Sequence, residues 1–437
     1  MSFGNQPGRL LSVDAYRGFV MIAMASGGLG LAGIAKNFPE SPAWQTAAYQ
    51  SQHVNWGGCA FWDLIQPSFM FLVGVAAPFS YAARRARGDG WWKLAGHALV
   101  RSAVLAALGV ILYTRIAPAA EHSQTTWTFK NVLAQIGLGY FFVFLTLQLH
   151  WLWQAATALA ILALTWAAFF FHPLPTTEQL AELYSGSPKP RTAAQYEGFA
   201  AHWNNHVNFA AAMDEKFLNS LPRAKPFVAA EEEYYTLNFV PSIATMIMGV
   251  LAGGLLQGRM SMGAKAIWLL VAGVSLLGAG LLLDHTLWPN SPTSTPLEAG
   301  PDRSFNDPAW TICPAVKKIW TPTWAVFSGG WALVILGLFV GVVEGFGLKT
   351  WTYPLVVVGA NSIIFYLLAS WLGGGGGWIQ STLKTHLGTG WATWTITKLG
   401  SADHVAVYQG LVWRLMELCV LWLIVWWMYR QKAFLKI

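Results

Sequence analysis

The chain has 437 residues, of which 55% are hydrophobic and only 11% are charged. Because an ordinary soluble domain has about 25% charged residues, this composition excludes the soluble globular class. The 25 tryptophans suit membrane interfaces and surfaces that stack on sugars. A net charge of +7 does not indicate nucleic acid binding, since the basic residues form neither a face nor a tail. Three cysteines without regular spacing predict neither a disulfide framework nor a zinc site.

Apolar runs long enough to cross about 30 Å of hydrocarbon as helices recur along the chain. They predict an all-α integral membrane protein with about ten transmembrane helices in a single domain, 1–437. The predicted spans are Ser12–Ala35, Phe61–Ala83, Leu94–Ile116, Asn131–Leu149, Leu152–Phe171, Phe239–Leu256, Ala266–Leu283, Trp324–Val343, Leu355–Leu372 and Val407–Met428.

The charges sort by side of the membrane. If the N-terminus is cytoplasmic, the inner connections and the tail carry the basic residues Arg84, Arg85, Arg87, Lys93, Arg259, Lys265, Lys349, Arg430, Lys432 and Lys436. The outer connections carry nearly all the loop acids, including Glu231–Glu233. The positive-inside rule therefore predicts cytoplasmic termini and extracytoplasmic loops near 36–60, 172–237, 284–323 and 373–406.

His53 and Asp63 are the first candidates for chemistry. His53 lies just before the second predicted span, and Asp63 lies about one turn into it. An imidazole at the outer mouth of a helix can take a proton from a sugar amine or hydroxyl, or carry an acyl group itself. Asp63 can orient that imidazole. The alternative is a solvated loop histidine and an aspartate that caps or packs its helix.

A second group of candidates lies at the cytoplasmic end of the first spans. Asp14 and Arg17 are three residues apart and share a helix face, so they can form a structural ion pair. Alternatively, Arg17 joins other basic residues to bind the phosphates of a nucleotide cofactor. Those residues are Arg84, Arg85, Lys93 and Arg101. A role of these basic residues in topology alone is the competing interpretation.

Polar residues within the spans form a third group. Asn361 and Ser362 lie on the inner half of the ninth span, where they can line a polar channel. We predict no metal site, because His202 and His206 have the spacing of a zinc pair without the acidic neighbour of the zinc protease motif.

Seven segments in chain order resemble the heparan-α-glucosaminide N-acetyltransferase family and its bacterial relatives. They are Arg9–Gly18 (RLLSVDAYRG), His53–Gly58 (HVNWGG), Asp63–Gly74 (DLIQPSFMFLVG), Asn131–Gly137 (NVLAQIG), Asn238–Gly249 (NFVPSIATMIMG), Lys318–Trp324 (KIWTPTW) and Gly359–Tyr366 (GANSIIFY). Any one of them is weak, whereas together they are specific.

The resemblance implies a transmembrane acyltransferase in a bacterial inner membrane. It would use cytoplasmic acetyl-CoA as co-substrate, without a metal, to acetylate an amino or hydroxyl group of an extracytoplasmic sugar such as a hexosamine. The active-site histidine of the family falls on His53. Substrate contacts are expected from Asn55, Trp56, Asn238 and Trp320 within the matching segments. A family asparagine falls near Gly28, where this chain has no polar side chain, so the geometry of the acceptor site stays open.

The expected partners are acetyl-CoA, the sugar or glycan acceptor and membrane lipid, with no nucleic acid. A homo-oligomer is left open. The alternative function is a transporter for a sugar or glycan fragment, which the lack of an internal repeat disfavours. A structural subunit without small-molecule binding is the third interpretation.

Overall fold

A computed structural model describes residues 10–114, 125–176, 178, 196, 198–223, 226–229, 234–287, 311–374, 377–398 and 404–435. Apart from one isolated β-bridge between Gly57 and Val316, these residues form no strand. The acidic run 231–233 and Lys436, which entered the topology argument, lie outside the described residues. The all-α fold predicted from the sequence is confirmed for the residues that the structure covers.

The helices follow the predicted spans closely. In chain order they are α1 Leu11–Ala25, α2 Leu31–Ala35, α3 Pro42–Gln50, α4 Ile65–Ala86, α5 Trp91–Thr114, α6 Val132–Thr146, α7 Trp151–Phe170, α8 Phe209–Asn219, α9 Phe239–Gln257, α10 Met262–Leu283, α11 Pro322–Phe339, α12 Tyr353–Ala360, α13 Ser362–Leu372, α14 Trp378–Leu387, α15 Thr389–Lys398 and α16 Val405–Arg430.

The number of spans differs from the predicted ten. Within the described residues, seven helices are long and apolar enough to cross a membrane, and the number is nine if each of two bent helix pairs counts as one span. The remaining predicted span is α6, whose 15 residues extend only about 22 Å at 1.5 Å per residue. These helices make the chain a multi-pass membrane protein, but the count of ten is not confirmed.

Two predicted spans are broken by local backbone geometry. The first bends by 40° between α1 and α2, where Gly27, Gly28 and Gly30 all adopt positive φ angles that favour glycine. The second bends by 72° between α12 and α13, where Asn361 has non-helical backbone angles. At the second bend Asn361 is buried in the protein, where interrupted helical backbone is tolerated.

Glycines let the central helices approach until their backbones touch. A Cβ atom on Gly74 of α4 would overlap the carbonyl oxygen of Met246, and one on Gly249 of α9 would overlap that of Phe71. Gly18 of α1 faces the carbonyl oxygen of Leu355 in the same way. Small residues at crossing points are the usual means of close helix packing in membranes.

A second, smaller core covers one end of the bundle. It is built from segments between the spans, and its buried aromatic residues include Trp56, Trp203, Tyr196 and Tyr235. The indole Nε1 of Trp56 donates to the carbonyl oxygen of Trp203 at 3.0 Å. This packing fixes the segment that precedes α4.

A methyl group at Gly249 is expected to destabilise the protein, because α4 and α9 must separate to admit it. We expect Gly249→Ala to lower the free energy of unfolding by about 1–3 kcal/mol, measured by thermal unfolding in detergent. Gly254→Ala on the same helix is the control, because a Cβ there meets open space. Equal unfolding temperatures for the two variants would contradict the contact between α4 and α9.

Candidate active site

Asp63 is the centre of a buried polar group at the start of α4. It lies in the helical turn Phe61–Leu64, and its Oδ2 accepts backbone N–H bonds from Ala60 and Val54, both at 3.2 Å. The first of these bonds caps the helix, as one interpretation of the sequence predicts. The second ties the segment containing His53 to the helix. The carboxylate is 1% exposed, so it needs charged partners.

His53 is one of those partners. Its Nδ1 lies 2.7 Å from Oδ1 of Asp63, and we assign the proton to Nδ1, because the carboxylate can only accept. The other ring nitrogen, Nε2, then carries a lone pair. The His53 side chain is 45% exposed, so an acceptor can reach it. The pair therefore has the arrangement of a general base oriented by a carboxylate.

Lys317 is the second charged partner of Asp63. Its Nζ lies 3.2 Å from Oδ1 of Asp63 and 3.1 Å from Nδ1 of His53. The two nitrogens are close because both donate to one oxygen. The lysine is placed by a short backbone pairing, in which Gly58 donates to the carbonyl oxygen of Ala315 at 3.0 Å. Burial lowers the pKa of Lys317, although Asp63 favours its charged form.

Nearby groups do not compete with His53 as nucleophiles. Burial, with a smaller contribution from Asp63, raises the pKa of the Cys59 thiol well above its usual value, and only the thiolate is strongly nucleophilic. Burial likewise raises the pKa of Tyr49 to about 12. Compared with Cys59 and Tyr49, His53 is therefore the better candidate for a base or nucleophile, because its imidazole is exposed and offers a lone pair on Nε2.

Two cavities lie along the same set of helices. The cavity at His53, of about 280 Å³, is here called the His53 cavity, and the cavity at Arg17, of about 340 Å³, the Arg17 cavity. Helices α1, α4, α5, α6 and α13 contribute to both. In that order they supply Met21, Gln66, Tyr113, Val132 and Tyr366 to the His53 cavity. They supply Arg17, Arg84, Arg101, Ile136 and Ser362 to the Arg17 cavity.

The Arg17 cavity has a strongly basic lining. Arg17, Arg84 and Arg101 all face it, together with His97. Arg17 pairs with Asp14 at 3.6 Å, as its spacing predicts, so the ion pair and the cavity position coexist. Arg84 contacts the imidazole of His97, and the guanidinium of Arg101 lies 4.6 Å from the ring centre of Tyr140. Guanidinium groups held in this way suit phosphate recognition.

Two of the basic residues predicted to bind the cofactor, and the predicted channel residue Asn361, lie elsewhere. Arg85 donates to Gln148 at 2.7 Å and lines a separate cavity of about 690 Å³. Lys93 is an exposed residue paired with Asp89 at 2.5 Å. Asn361 lies at the bend beside Ser362, and its amide donates to the carbonyl oxygen of Ala433 at 3.1 Å. None of the three belongs to the described lining of the Arg17 cavity.

The four residues expected to contact substrate lie outside the described lining of the His53 cavity. Asn55 is exposed on the loop beside His53. Trp56 is buried in the smaller core. Asn238 is 1% exposed and donates to the carbonyl oxygen of Lys318 at 2.8 Å. Trp320 is fully buried and donates to Oγ1 of Thr245 at 3.3 Å. The last three support the walls around the site.

The structure adds residues that the sequence pattern did not single out. Lys317, Lys130 and Tyr234 line the His53 cavity together with Gln66. Lys317 immediately precedes the family-like segment Lys318–Trp324. Its position beside that segment, in a loop rich in apolar residues, could have marked Lys317 as a candidate. Its contact with Asp63 could not be predicted, because the two residues are more than 250 positions apart in the chain.

No protein-family model matches the chain. The chain is similar to heparan-alpha-glucosaminide N-acetyltransferase of Homo sapiens, with 28% identity over 137 residues, which are 31% of this chain and 19% of the human protein. The Mus musculus protein of the same name is 27% identical over 135 residues, which are 31% of this chain and 18% of that protein. The match thus spans about a fifth of either relative. It supports the family relationship that the motifs indicate.

The contact between Asp63 and Lys317 predicts that their contributions to the free energy of unfolding depend on each other. We expect Lys317→Met to lower the free energy of unfolding by about 3–5 kcal/mol, because it leaves a buried carboxylate without its ammonium partner. The double variant Lys317→Met/Asp63→Asn is expected to be more stable than Lys317→Met, since both charges are gone. Thermal unfolding in detergent of the unaltered protein, Lys317→Met, Asp63→Asn and the double variant measures the coupling. Simply additive losses would show that the two side chains act independently.

Proposed function

We propose that the chain is a membrane acetyltransferase that moves an acetyl group from acetyl-CoA, bound at the Arg17 cavity, to an amino or hydroxyl group of a sugar at the His53 cavity. One observation carries the proposal. The same five helices line a basic cavity at one end and a cavity with an oriented histidine at the other. A donor bound at the basic end can extend its arm toward the base.

The charge distribution supports an orientation with the Arg17 cavity in the cytoplasm. Arg84, Arg85, Arg87 and Lys93 cluster around the end of α4 and the start of α5, at the end of the bundle where α1 begins. Leu435, near the end of the described chain, also lines the Arg17 cavity. The positive-inside rule puts this end in the cytoplasm, where acetyl-CoA would be met, and the His53 cavity on the opposite side.

The donor site follows from the chemistry of coenzyme A. Its phosphates are multiply charged and cannot enter hydrocarbon without a large cost. Arg17, Arg84 and Arg101 offer charge-assisted hydrogen bonds that would hold the phosphates at the membrane surface. The uncharged pantetheine arm can then run between the helices. Ser362 adds a polar group to the wall of the Arg17 cavity.

The transfer step assigned to His53 is acyl substitution. Nε2 of His53 takes the proton from the sugar amine or hydroxyl, and the freed nitrogen or oxygen attacks the thioester carbonyl carbon. The carbon–sulfur bond breaks, and the proton passes from His53 to the coenzyme A sulfur. In the second route, Nε2 attacks the thioester carbonyl carbon first, the carbon–sulfur bond breaks and coenzyme A leaves as the thiolate. The acceptor then attacks the acetyl group on Nε2, the bond to Nε2 breaks, and the proton of the acceptor passes to the thiolate. Asp63 and Lys317 hold the imidazole in position in either route.

Replacing His53 tests the function directly. We expect His53→Ala to lose about two orders of magnitude or more in turnover, with acetyl-CoA binding retained, because the Arg17 cavity lies at the other end of the bundle. Turnover is measured as release of the coenzyme A thiol in the presence of glucosamine and related hexosamines. Gln52→Ala is the matched control, because Gln52 is exposed on the same loop.

Near-normal turnover of His53→Ala would remove the histidine from the mechanism. A thermal-shift measurement separates the enzyme from the transporter alternative. Stabilisation by acetyl-CoA and coenzyme A supports the enzyme, whereas stabilisation by sugar alone supports transport.

The donor site predicts a selective loss of affinity. We expect Arg17→Ala to weaken acetyl-CoA and coenzyme A together by about ten- to a hundredfold, as one lost charge-assisted hydrogen bond implies. A short acetyl thioester without the nucleotide should bind unchanged, because it does not reach the arginines. Affinities are measured by calorimetry in detergent. Arg85→Ala and Lys93→Ala are matched controls, because neither residue belongs to the described lining of the Arg17 cavity.

Exchange of Asp14 and Arg17 distinguishes a phosphate contact from a structural ion pair. The exchanged chain keeps both charges three residues apart but moves the guanidinium. Normal coenzyme A affinity in that variant would contradict a phosphate contact by Arg17.

A further inference from the structure

Phe69 is the one residue common to the described linings of the two cavities. It lies on α4 and is 7% exposed. Ile65 and Gln66, one turn earlier, line only the His53 cavity. Leu72 and Val73, one turn later, line only the Arg17 cavity. The change from one cavity to the other along α4 therefore takes place at this ring.

The neighbouring helices change cavities at the same level. On α6, Val132 lines the His53 cavity and the next residue, Leu133, lines the Arg17 cavity. On α13, Ile363 lines the Arg17 cavity and Tyr366 lines the His53 cavity. Along α4, α6 and α13 the separation is thus no thicker than about one helical turn, or about 5 Å.

Along α4, Phe69 lies closer to Asp63, at the candidate active site, than to Arg84 in the Arg17 cavity. Phe69 follows Asp63 by six residues and precedes Arg84 by fifteen. At 1.5 Å per residue, its backbone lies about 9 Å along the helix from that of Asp63 and about 22 Å from that of Arg84. An acyl group carried from the Arg17 cavity to His53 has to pass this ring at the end of its path.

We propose that Phe69 is a steric partition that closes the passage between the two cavities and restricts transfer to donors with slender acyl groups. This inference rests on the proposed function for its second part only. An apolar aromatic ring lets a linear acetyl group pass with a small displacement. A branched acyl group needs a wider opening, and a rigid side chain in a packed wall resists that opening.

Thiol labelling tests the partition without any transfer activity. The three native cysteines are replaced by alanine, and Met24→Cys places a thiol in the His53 cavity. Sealed membrane vesicles of either orientation are treated with the impermeant anion 2-sulfonatoethyl methanethiosulfonate. An anionic reagent is chosen because the Arg17 cavity is basic. Ser80→Cys places a thiol in the Arg17 cavity. Labelling of this thiol identifies the vesicle preparation in which the Arg17 cavity opens to the outside.

In those vesicles we expect the thiol introduced by Met24→Cys to stay unlabelled while Phe69 is present, and to react once Phe69→Ala is added. Phe71→Ala is the matched control, because Phe71 is a fully buried residue of the same helix that belongs to neither described lining. Phe69→Leu repeats the test with a smaller loss of volume if the alanine variant folds poorly. Unchanged labelling in both Phe69 variants, or equal labelling in Phe71→Ala, would overturn the partition.

Acyl-donor preference tests the second part. In Phe69→Ala the turnover ratio of isobutyryl-CoA to acetyl-CoA is expected to rise roughly tenfold or more, the effect of one or two methyl groups in an apolar site. An unchanged ratio in a variant that does open the passage would overturn the selectivity. If the unaltered protein transfers no acyl group from either donor, the proposed function fails, and the labelling result still decides the partition.

Discussion

The site depends on one buried carboxylate. Asp63 caps the start of α4, holds the loop that carries His53, and accepts hydrogen bonds from both His53 and Lys317 through the same oxygen. A buried charge costs several kcal/mol unless it is paired and fully hydrogen-bonded. This requirement ties the first loop of the chain to a segment more than 250 residues later, and it fixes the direction of the imidazole.

The sequence was sufficient for the parts of the fold that depend on local pattern. Apolar runs located the long helices to within a few residues, and the spacing of Asp14 and Arg17 predicted their ion pair. The bends within the first and ninth predicted spans were not predicted, because the mean hydropathy of a window stays high across a short break. A run of glycines at positive φ ends α1, and the polar Asn361 ends α12, yet both lie within apolar windows. The shortness of α6 was missed for the same reason.

The candidate site was predictable only where its residues are close in the chain. His53 and Asp63 are ten residues apart, and their contact could be anticipated. Lys317 reaches them through a loop pairing that no spacing rule describes. Trp56 and Trp320, for which the family resemblance predicts substrate contacts, donate their indole N–H groups to partners within the protein. A buried tryptophan needs such a partner, and the amino-acid type alone does not distinguish the two roles.

If the proposed function holds, the separation between the two cavities lets one bundle serve a charged donor on one side and an acceptor on the other. Asp63 lies just before α4 and Arg84 lies in its last turn, so helical rise separates the backbones of these two residues by about 30 Å, close to the thickness of the hydrocarbon. Full transport of the donor would require its phosphates to be desolvated along that whole distance. Holding the phosphates at one end confines the desolvated part to an uncharged arm. The same geometry requires a barrier within the passage, because an open polar channel through the bundle would leak ions, and the described linings meet at one apolar ring.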